Sequence, residues 1–352
     1  MIWSLRKATW WLQATAGVNY YRAEMPAKHL PGRCNVLNPD DLQPPVDGRN
    51  HVFPRQEGAA IWMFSGNATR GLLMAEMKRQ GIPVFMEVDD NYTVAPPIAH
   101  MGLSAWTNKI DRTGKDKHSY EAHTKLAGKI DGVICSTPYL ASVYSRINPN
   151  VHVCWNSVDP EDWGEDPPHQ KDGVLRIGWA GSWSHIYDVA DIRLALDWAS
   201  RQKDVEVVLM GYDPGWGFEY RAIKWFDRLA DYRATANEID VMLCPVRPSP
   251  WADCKSDVKA LEAAMSGACS VVSRTEPYRP WWDGNAPGYA ATTPQDYVKV
   301  LKHLVRNRDE VAETARLARE YVLRERNIQN TIVQWASALA SVPDRSFPRV
   351  FA

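Results

Sequence analysis

The feature that most constrains the fold is a repeated alternation of short apolar runs with helical patterns. In the first half, helical patterns over 67–80, 119–130 and 138–146 separate the apolar runs AAIWMFSG, IPVFMEV, DGVICST and VHVCWN. Strands that are apolar on both faces and alternate with helices belong to parallel sheets covered on both sides. The first half is therefore predicted to be an α/β domain.

The alternation restarts after the acidic, proline-bearing stretch DPEDWGEDPPHQKDG over 159–173, which is the best candidate for a linker. The runs LRIGWAG, VEVVLMG, IDVMLCPV and ACSVVS are the predicted strands, and helical patterns cover 189–202, 220–235, 256–266 and 294–339. Two such series predict two doubly wound, Rossmann-like α/β domains. Their predicted extents are 1–165 and 172–324, with a helix over 325–345 that packs back on the first domain.

The nearly balanced charge argues mildly against a nucleic-acid-binding protein. The 352 residues include 41 basic and 42 acidic side chains, for a formal net charge of -1. A DNA-binding chain usually has a basic excess or a Lys/Arg tract. A nucleic-acid partner is therefore possible but disfavoured.

Cysteine usage indicates a reducing compartment. No pair of the six cysteines has Cys-x-x-Cys spacing, which argues against a zinc knuckle or a redox motif. Three of them lie inside apolar runs, as buried thiols do. No apolar run approaches the length of a membrane span. We therefore expect a cytoplasmic protein without a membrane span.

The turn after the first strand of the second domain, GWAGSWSHIYD, is the first candidate for ligand binding. Gly181 allows backbone to approach a ligand, and Ser182 and His185 offer polar groups near a helix start, where a phosphate is favoured. A tight turn capped by a serine fits the same residues equally well. The dinucleotide fingerprint is not met, because its third glycine is missing and Asp213 lies too far along the chain. A nicotinamide enzyme is therefore disfavoured.

The second candidate is the helix predicted within KSDVKALEAAMSG. Lys255, Lys259 and Glu262 fall on one helical face that begins directly after a strand. A lysine there can neutralise a diphosphate, and a carboxylate can accept both hydroxyls of a ribose. For this helix in isolation, a solvated face with a Lys259–Glu262 pair is the more common arrangement.

Eight segments in order resemble the large retaining glycosyltransferase family of GT-B fold, especially its short phage and actinobacterial members. They are GVNYYRAEMPAKHL, EVDDNY, DGVICSTPYLASVY, WNSVD, IGWAGSWSHIYD, EIDVMLCPV, KSDVKALEAAMSGACSVVS with EPY, and a closing helix ending in Trp335. The resemblance implies two Rossmann-like domains with an interdomain cleft. It also implies a nucleotide-sugar donor such as a UDP- or GDP-sugar, no further cofactor and no catalytic metal.

Carried over by position, the resemblance implies that Glu262 binds the ribose and that Lys259 and the Gly181-Ser182 turn face the diphosphate. The full predicted donor-binding set is Gly181, Ser182, His185, Lys255, Ser256, Lys259 and Glu262. One departure is Cys254, which stands where many relatives have a carboxylate that contacts the donor sugar. The identity of the sugar is therefore left open.

In the first domain, the resemblance implies that 17–22 form a glycine-containing loop toward the acceptor, with Gly17, Tyr20 and Arg22 on the acceptor side. Asp89 and Asp90 follow a predicted strand. With His185 they are the candidate catalytic residues, through acceptor binding or acid/base support. Carboxylates that cap the following turn are an equally good interpretation.

The predicted function is transfer of a sugar to a hydroxyl, with retention of configuration and without metal. The expected acceptor is a phage virion protein or a small glycan, in the host cytoplasm if the chain is phage-encoded. One alternative is a phage enzyme that glycosylates a hydroxylated DNA base. The other is a sugar- or nucleotide-binding protein without turnover.

Overall fold

The computed structural model describes residues 8–12, 16–32, 34–37, 58–63, 68–94, 120–164, 173–226 and 228–342. The chain divides into two compact units, Met1–Asn156 with Ile328–Ala352, and Ser157–Asn327. The division lies at Asn156/Ser157, ahead of the linker predicted over 159–173. Asp159 is fully buried in the second unit, and its carboxylate accepts a hydrogen bond from the backbone N–H of Glu161. The part of the predicted linker over 165–172 lies outside the described residues.

The first unit is built on a six-stranded sheet. Its strands are β1 (Ala8–Trp11), β2 (Cys34–Leu37), β3 (Ala59–Met63), β4 (Val84–Val88), β5 (Gly132–Cys135) and β6 (Val151–Val153). They lie in the order β2-β1-β3-β4-β5-β6, and each neighbouring pair is parallel. Its helices include α1 (Ala16–Asn19), α2 (Met25–His29), α3 (Ala68–Arg79), α4 (Tyr120–Ala127) and α5 (Pro138–Tyr144).

The second unit is also built on a six-stranded parallel sheet. Its strands are β7 (Leu175–Gly181), β8 (Val205–Gly211), β9 (Arg221–Ile223), β10 (Val241–Cys244), β11 (Cys269–Ser273) and β12 (Tyr289–Ala291), in the order β12-β11-β10-β7-β8-β9. Its helices include α6 (Ile186–Ala199), α7 (Leu229–Ala236), α8 (Val258–Met265), α9 (Arg279–Trp282), α10 (Pro294–Arg306) and α11 (Arg308–Glu325).

Two cores lie on opposite faces of the second sheet. Val207 and Leu209 belong to one core with residues of α6 and α10, whereas Val208 and Met210 belong to the other with residues of α8 and α11. Alternate residues of one strand therefore serve both cores, as expected for strands buried on both sides. The predicted α/β class with parallel sheets is confirmed.

The last helix, α12 (Ile328–Ala340), belongs to the first unit. Trp335 packs against Trp10 of β1, with ring centroids 5.9 Å apart. The side chain of Gln334 accepts a hydrogen bond from the backbone N–H of Trp155 at 2.9 Å. In the described residues, no helix is long and apolar enough to cross a membrane.

Residues 16–29 correct one prediction: the loop expected over 17–22 is helical. The helix runs from α1 through a π-helical turn, Tyr20–Glu24, into α2. Its inner face buries Tyr21, Ala23 and Met25, and this burial favours a helix over a loop. Gly17 lies within α1, and a Cβ atom placed on it would have no other atom within 4 Å. No close contact therefore requires a glycine at this position.

The segment predicted as largely helical over 220–235 is corrected as well. Arg221–Ile223 form the edge strand β9, and the helix begins only at Leu229. The strand is three residues long, which is too short for period-two alternation to be visible in the sequence.

Candidate nucleotide-binding site

The order of strands in the second unit marks one place where a ligand is favoured. From β7 the chain adds β8 and β9 on one side and then returns to add β10 on the other. The sheet therefore has its topological switch point between β7 and β10, and in such sheets ligands bind beyond the carboxyl ends of these strands. All seven residues predicted to bind the donor are either the last residue of β7 or lie in the segments that follow β7 and β10.

The turn after β7 is shaped by two close backbone approaches. A Cβ atom on Gly181 would overlap the indole of Trp179. The carbonyl of Gly181 accepts a hydrogen bond from the backbone N–H of Tyr212 at 2.8 Å, just past the end of β8. Ser182 follows with its hydroxyl 2.6 Å from that of Ser184, and a short 3₁₀ turn, Trp183–His185, leads into α6. Only a glycine fits at position 181 without moving the tryptophan.

His185 is held by Asp188, one turn further along. Its Nδ1 lies 2.7 Å from Oδ2 of Asp188, whose Oδ1 accepts the backbone N–H of Arg247 at 2.8 Å. Burial raises the pKa of Asp188, but these two hydrogen bonds outweigh it and the net shift is downward. A carboxylate only accepts, so Nδ1 of His185 carries the proton and Nε2 has the free lone pair.

The pKa of His185 is lowered to about 4, first by burial and next by the charge of Lys259, against the raising effect of Asp188. The imidazole is therefore neutral near pH 7. A neutral imidazole contributes hydrogen bonding rather than charge, so the cationic part of this site comes from the lysines.

Lys259 is the residue that most clearly points to an anion. Its Nζ is buried and has no hydrogen-bond partner among the described residues. It lies 5.5 Å from the centroid of the Trp179 ring, and Nε1 of that indole is likewise buried and without a partner in the described part of the chain. Burial lowers the pKa of Lys259. Unsatisfied buried donors are rare in native proteins, and each calls for an explanation.

The start of α8 is fixed by a buried ion pair. Asp257 immediately precedes the helix, and its carboxylate accepts bonds from Arg326 at 2.8 and 3.1 Å and from Nε1 of Trp281 at 3.0 Å. Lys255 and Ser256 lie half-buried just before it, with Nζ of Lys255 5.7 Å from the centroid of the Trp251 ring. The orientation of Lys259 and Glu262 therefore depends on a rigid helix start.

Glu262, one turn after Lys259, is half-buried and oriented by a tyrosine. Oη of Tyr232 in α7 donates to Oε2 of Glu262 at 2.9 Å. The solvated Lys259–Glu262 pair expected for an isolated helix is not what the structure shows, because Nζ of Lys259 has no hydrogen-bond partner among the described residues and both side chains are partly buried.

The predicted residues of the first unit have different surroundings. Arg22 is 1% exposed and bonds Glu87 at 2.6 Å, the carbonyl of Cys154 at 2.5 Å and Oδ1 of Asn156 at 3.0 Å. Its guanidinium also lies 4.9 Å from the centroid of the Trp335 ring. Arg22 is thus buried and hydrogen-bonded within this unit, and its acceptor-side role stays a prediction.

Asp89 and Asp90 are half-buried directly after β4. Oη of Tyr92 donates to Asp89 at 2.6 Å, and the ring of Tyr92 packs edge-on against His123. Tyr20 packs edge-on against Tyr21, and Gly17 is exposed. The catalytic and acceptor roles of these residues stay predictions.

Sequence reasoning missed four residues around these sites. Trp179, Asp188 and Tyr232 surround the predicted donor residues, and Glu87 anchors Arg22. Asp188 had a signal in the sequence, since it lies three residues after His185 at the start of a helix, where i and i+3 side chains meet. Tyr232 had none, because its contact spans two elements.

A comparison with known families bears directly on the second unit. Residues 190–337 match the family described as glycosyl transferase-like. This segment of the chain is glycosyltransferase-like in sequence. It contains Lys255, Ser256, Lys259 and Glu262, whereas the turn after β7 precedes it. No curated protein matches the sequence.

Three solved structures illustrate the fold that this chain shares with known proteins. Sucrose-phosphate synthase from Thermosynechococcus elongatus has a TM-score of 0.64 and 10% identity, over 96% of this chain and 98% of that one. Anabaena Alr3699/HepE, solved with UDP-glucose, has a TM-score of 0.65 and 13% identity, over 96% and 100%. A glycosyltransferase from Rickettsia africae has a TM-score of 0.64 and 8% identity, over 97% and 100%. The chain thus has the two-domain GT-B fold, and with the family match this supports an enzyme of glycosyltransferase type.

Proposed function

We propose that the protein transfers a sugar from a nucleoside-diphosphate sugar, held by the second unit, to a hydroxyl acceptor. The observation that carries the proposal is the buried Nζ of Lys259 in α8, which lies over Trp179 of β7 and has no hydrogen-bond partner among the described residues. A diphosphate would supply acceptor oxygens for Lys259 and for Nε1 of Trp179. Anabaena HepE, with the same fold, was solved with UDP-glucose, so a UDP-sugar is the first donor to test.

In this proposal, Glu262 accepts the ribose hydroxyls while Tyr232 fixes its rotamer. The bond between sugar C1 and the β-phosphate oxygen breaks, and its electron pair stays on the nucleoside diphosphate. The acceptor oxygen bonds to C1, and its proton passes to the departing diphosphate. Lys259 stabilises the charge that develops on that leaving group in a site of low dielectric. The neutral His185 offers Nε2 as an acceptor for a donor-sugar hydroxyl.

The finer features of the proposal come from the family resemblance. They are retention of configuration, independence of metal, and an acceptor that is a protein or a small glycan, with a phage virion protein as one possibility and a DNA base as the alternative. Asp89 and Asp90 stay the proposed acceptor-binding or acid/base groups of the first unit. Within the described residues, no group of three His, Cys, Asp or Glu is placed to hold a metal ion. All six cysteines are free thiols, which supports a cytoplasmic location.

Binding of UDP to single variants tests the proposal. Lys259→Met and Glu262→Gln should each weaken UDP binding about 10- to 100-fold in titration calorimetry, because each removes a charged hydrogen-bonding group. Lys302→Met is the matched control. Nζ of Lys302 also lies over a tryptophan, 5.8 Å from the Trp198 ring centroid, but Lys302 is on the exposed face of α10. This variant should bind UDP like the wild type.

The donor panel should also include GDP, ADP and dTDP. If the wild-type protein binds none of these nucleotides, the proposed function is wrong. If it binds one but neither hydrolyses nor transfers the corresponding sugar, the non-catalytic alternative is correct. Activity should persist after exhaustive EDTA treatment, and a loss restored by manganese or magnesium would contradict metal independence.

A further inference from the structure

Trp225 is the most exposed large hydrophobic side chain in the described residues, at 61%. It lies two residues after β9. Single exposed hydrophobic residues are common on proteins and by themselves mean little. Trp225 differs from such residues because its ring packs closely against Gly211. A Cβ atom placed on Gly211 would lie 2.6 Å from Cε3 and 3.0 Å from Cζ3 of the indole. One side of the ring thus packs on the backbone at the end of β8, while most of its surface faces solvent.

Gly211 connects this indole to the turn after β7. The same Cβ atom would also overlap the carbonyl oxygen of Gly181, and Gly211 has a φ of +98°, which favours glycine. Because residue 211 is a glycine, the Gly181 carbonyl and the Trp225 ring can both lie close to its Cα atom. The exposed indole consequently lies beside the turn proposed to face the diphosphate.

A second chain of contacts connects Trp225 to the proposed ribose site. Its neighbour Phe226 packs edge-on against Tyr232, with ring centroids 5.9 Å apart. Tyr232 in turn donates to Glu262 at 2.9 Å. The residue next to Trp225 thus belongs to the aromatic pair that positions the ribose-binding carboxylate.

Given the proposed function, we infer that Trp225 stacks on the nucleobase of the donor. The diphosphate joins the ribose at one carbon and the base joins it at another, so a base lies close to the ribose but on the side away from the donor sugar. Trp225 is adjacent to the ribose-positioning pair through Phe226 and exposes a flat aromatic face. Stacking of a base on an aromatic side chain tolerates any base, because every base has a π-face. Trp225 therefore adds affinity for nucleoside diphosphates as a class.

The test compares UDP with inorganic pyrophosphate, which has the two phosphates but no base. Trp225→Ala should weaken UDP binding about 5- to 100-fold, the range expected for loss of one stacking contact. Pyrophosphate binding should not change. Trp225→Phe keeps an aromatic face and should recover most of the UDP affinity. Tyr139→Ala, which removes another exposed aromatic ring (41% exposed) from the first unit, is the control and should bind UDP like the wild type.

Fluorescence gives an independent readout. Subtracting the UDP titration of Trp225→Phe from that of the wild type isolates the indole signal from the fifteen other tryptophans, since the sequence has sixteen. The difference should show quenching that saturates with UDP and is absent with pyrophosphate. Both variants should keep the wild-type far-ultraviolet circular dichroism.

Each contrary result has a distinct meaning. If Trp225→Ala binds UDP normally while Glu262→Gln does not, the inference is wrong and the proposed function stands. If Trp225→Ala weakens UDP and pyrophosphate equally, the ring supports only the backbone turn, and stacking is excluded. If it weakens UDP-glucose but not UDP, the ring contacts the sugar and the inference is again wrong. Failure of the wild type to bind any nucleoside diphosphate would refute the proposed function itself.

Discussion

Two buried cations show how differently single residues are used in this protein. Lys259 is a buried amine without a hydrogen-bond partner in the described residues, whereas Arg22 is held by a carboxylate, a carbonyl and an amide. A buried charge costs folding free energy unless it is paired. Loss of Arg22 would therefore destabilise its unit, and Lys259 is a residue whose partner we expect to be a ligand.

The Arg22–Glu87 pair gives the first prediction at this scale. Both side chains are 1% exposed, so Arg22→Met would strand a buried carboxylate and should destabilise the first unit by about 3–5 kcal/mol. The pKa of Glu87 is raised to about 7, first by burial, with the charge of Arg22 opposing that shift. Because Glu87 can be protonated, Arg22→Met should destabilise the unit less at pH 5 than at pH 8. Urea unfolding, followed by hydrogen exchange in β4 and β5, measures this destabilisation.

The exposed pair of Arg79 with Glu76 is the control for this experiment. Its arginine side chain is 67% exposed and the two groups are neighbours on α3. Arg79→Met should leave the unfolding midpoint of the unit nearly unchanged, since exposed pairs contribute little. Equal destabilisation by the two arginine variants would contradict the role of burial.

His123 gives the second prediction, which concerns pH. It is 3% exposed, its Nε2 lies 2.6 Å from Oη of Tyr144, and burial lowers its pKa to about 3. Between pH 6.5 and about 3 the unfolded chain therefore binds a proton that the folded chain does not, so this residue makes the protein less stable as the pH falls. His123→Gln keeps an amide near the tyrosine but does not titrate.

The stability difference between wild type and His123→Gln isolates this effect from other titrating groups. The advantage of the wild type should shrink steadily as the pH falls from 7 to 4. Urea midpoints at each pH measure it. A difference that is constant across this range would show that the imidazole has the same pKa in the folded and unfolded chains, which would contradict the lowered pKa.

At the scale of elements, strands in mainly apolar runs could be predicted and several others could not. The sequence predicts β3–β8, β10 and β11, because each lies in a mainly apolar run. It does not predict β1 or β2 of the first sheet, nor β9 and β12, which are three residues long and lie at the two edges of the second sheet. Short edge strands take their structure from a neighbour rather than from their own side chains.

The helix over 16–29 was missed for a related reason. Its π-helical turn precedes Pro26, which has no N–H to donate, and the carbonyl of Arg22 instead accepts a bond from Nε1 of Trp10 at 3.1 Å. That bond connects residues 12 positions apart, so local propensity does not reveal it. The position of the proposed donor residues in the segments that follow β7 and β10 could be predicted, because strand ends in such sheets favour ligands. The positions of Trp179, Tyr232 and Trp225 could not, because they depend on contacts between elements.

The start of α10 gives a prediction for an element. The hydroxyl of Thr293 accepts the backbone N–H of Asp296, and the carboxylate of Asp296 accepts the backbone N–H of Thr293, which forms a capping box. Thr293→Ala should destabilise the second unit by about 1 kcal/mol. The neighbouring Thr292→Ala, exposed and outside the box, should have little effect. Urea unfolding of both variants tests the prediction. Equal unfolding midpoints for Thr293→Ala and Thr292→Ala would show that the cap does not stabilise the unit.

At the scale of the whole molecule, the second unit is a continuous segment and the first is not. Val158 and Asn327 pair with each other where the chain enters and leaves the second unit, and the N–H of Val158 donates to the carbonyl of Arg326 at 2.8 Å. The segment thus closes on itself, and its two cores are made of its own residues.

We therefore expect residues 157–327 to fold when expressed alone and to bind UDP with an affinity near that of the full chain. All proposed donor-binding residues lie in this segment. Calorimetry on the fragment tests the expectation, with Glu262→Gln in the same fragment as the non-binding control. A folded fragment that does not bind UDP, beside a full chain that does, would place an essential contact in the first unit.

The position of α12 also has a consequence for the order in which the protein is made. The N-terminal part of the first unit leaves the ribosome first. Trp10 cannot pack against Trp335, and Trp155 cannot donate its hydrogen bond to Gln334, until α12 has been synthesised. At ordinary rates of translation, the intervening segment takes roughly 10–30 s to synthesise. The second unit can complete its core in that time, while the first retains unpaired apolar surface until α12 emerges. The unit that is made first is therefore completed last, and it exposes apolar surface for the longer time during synthesis.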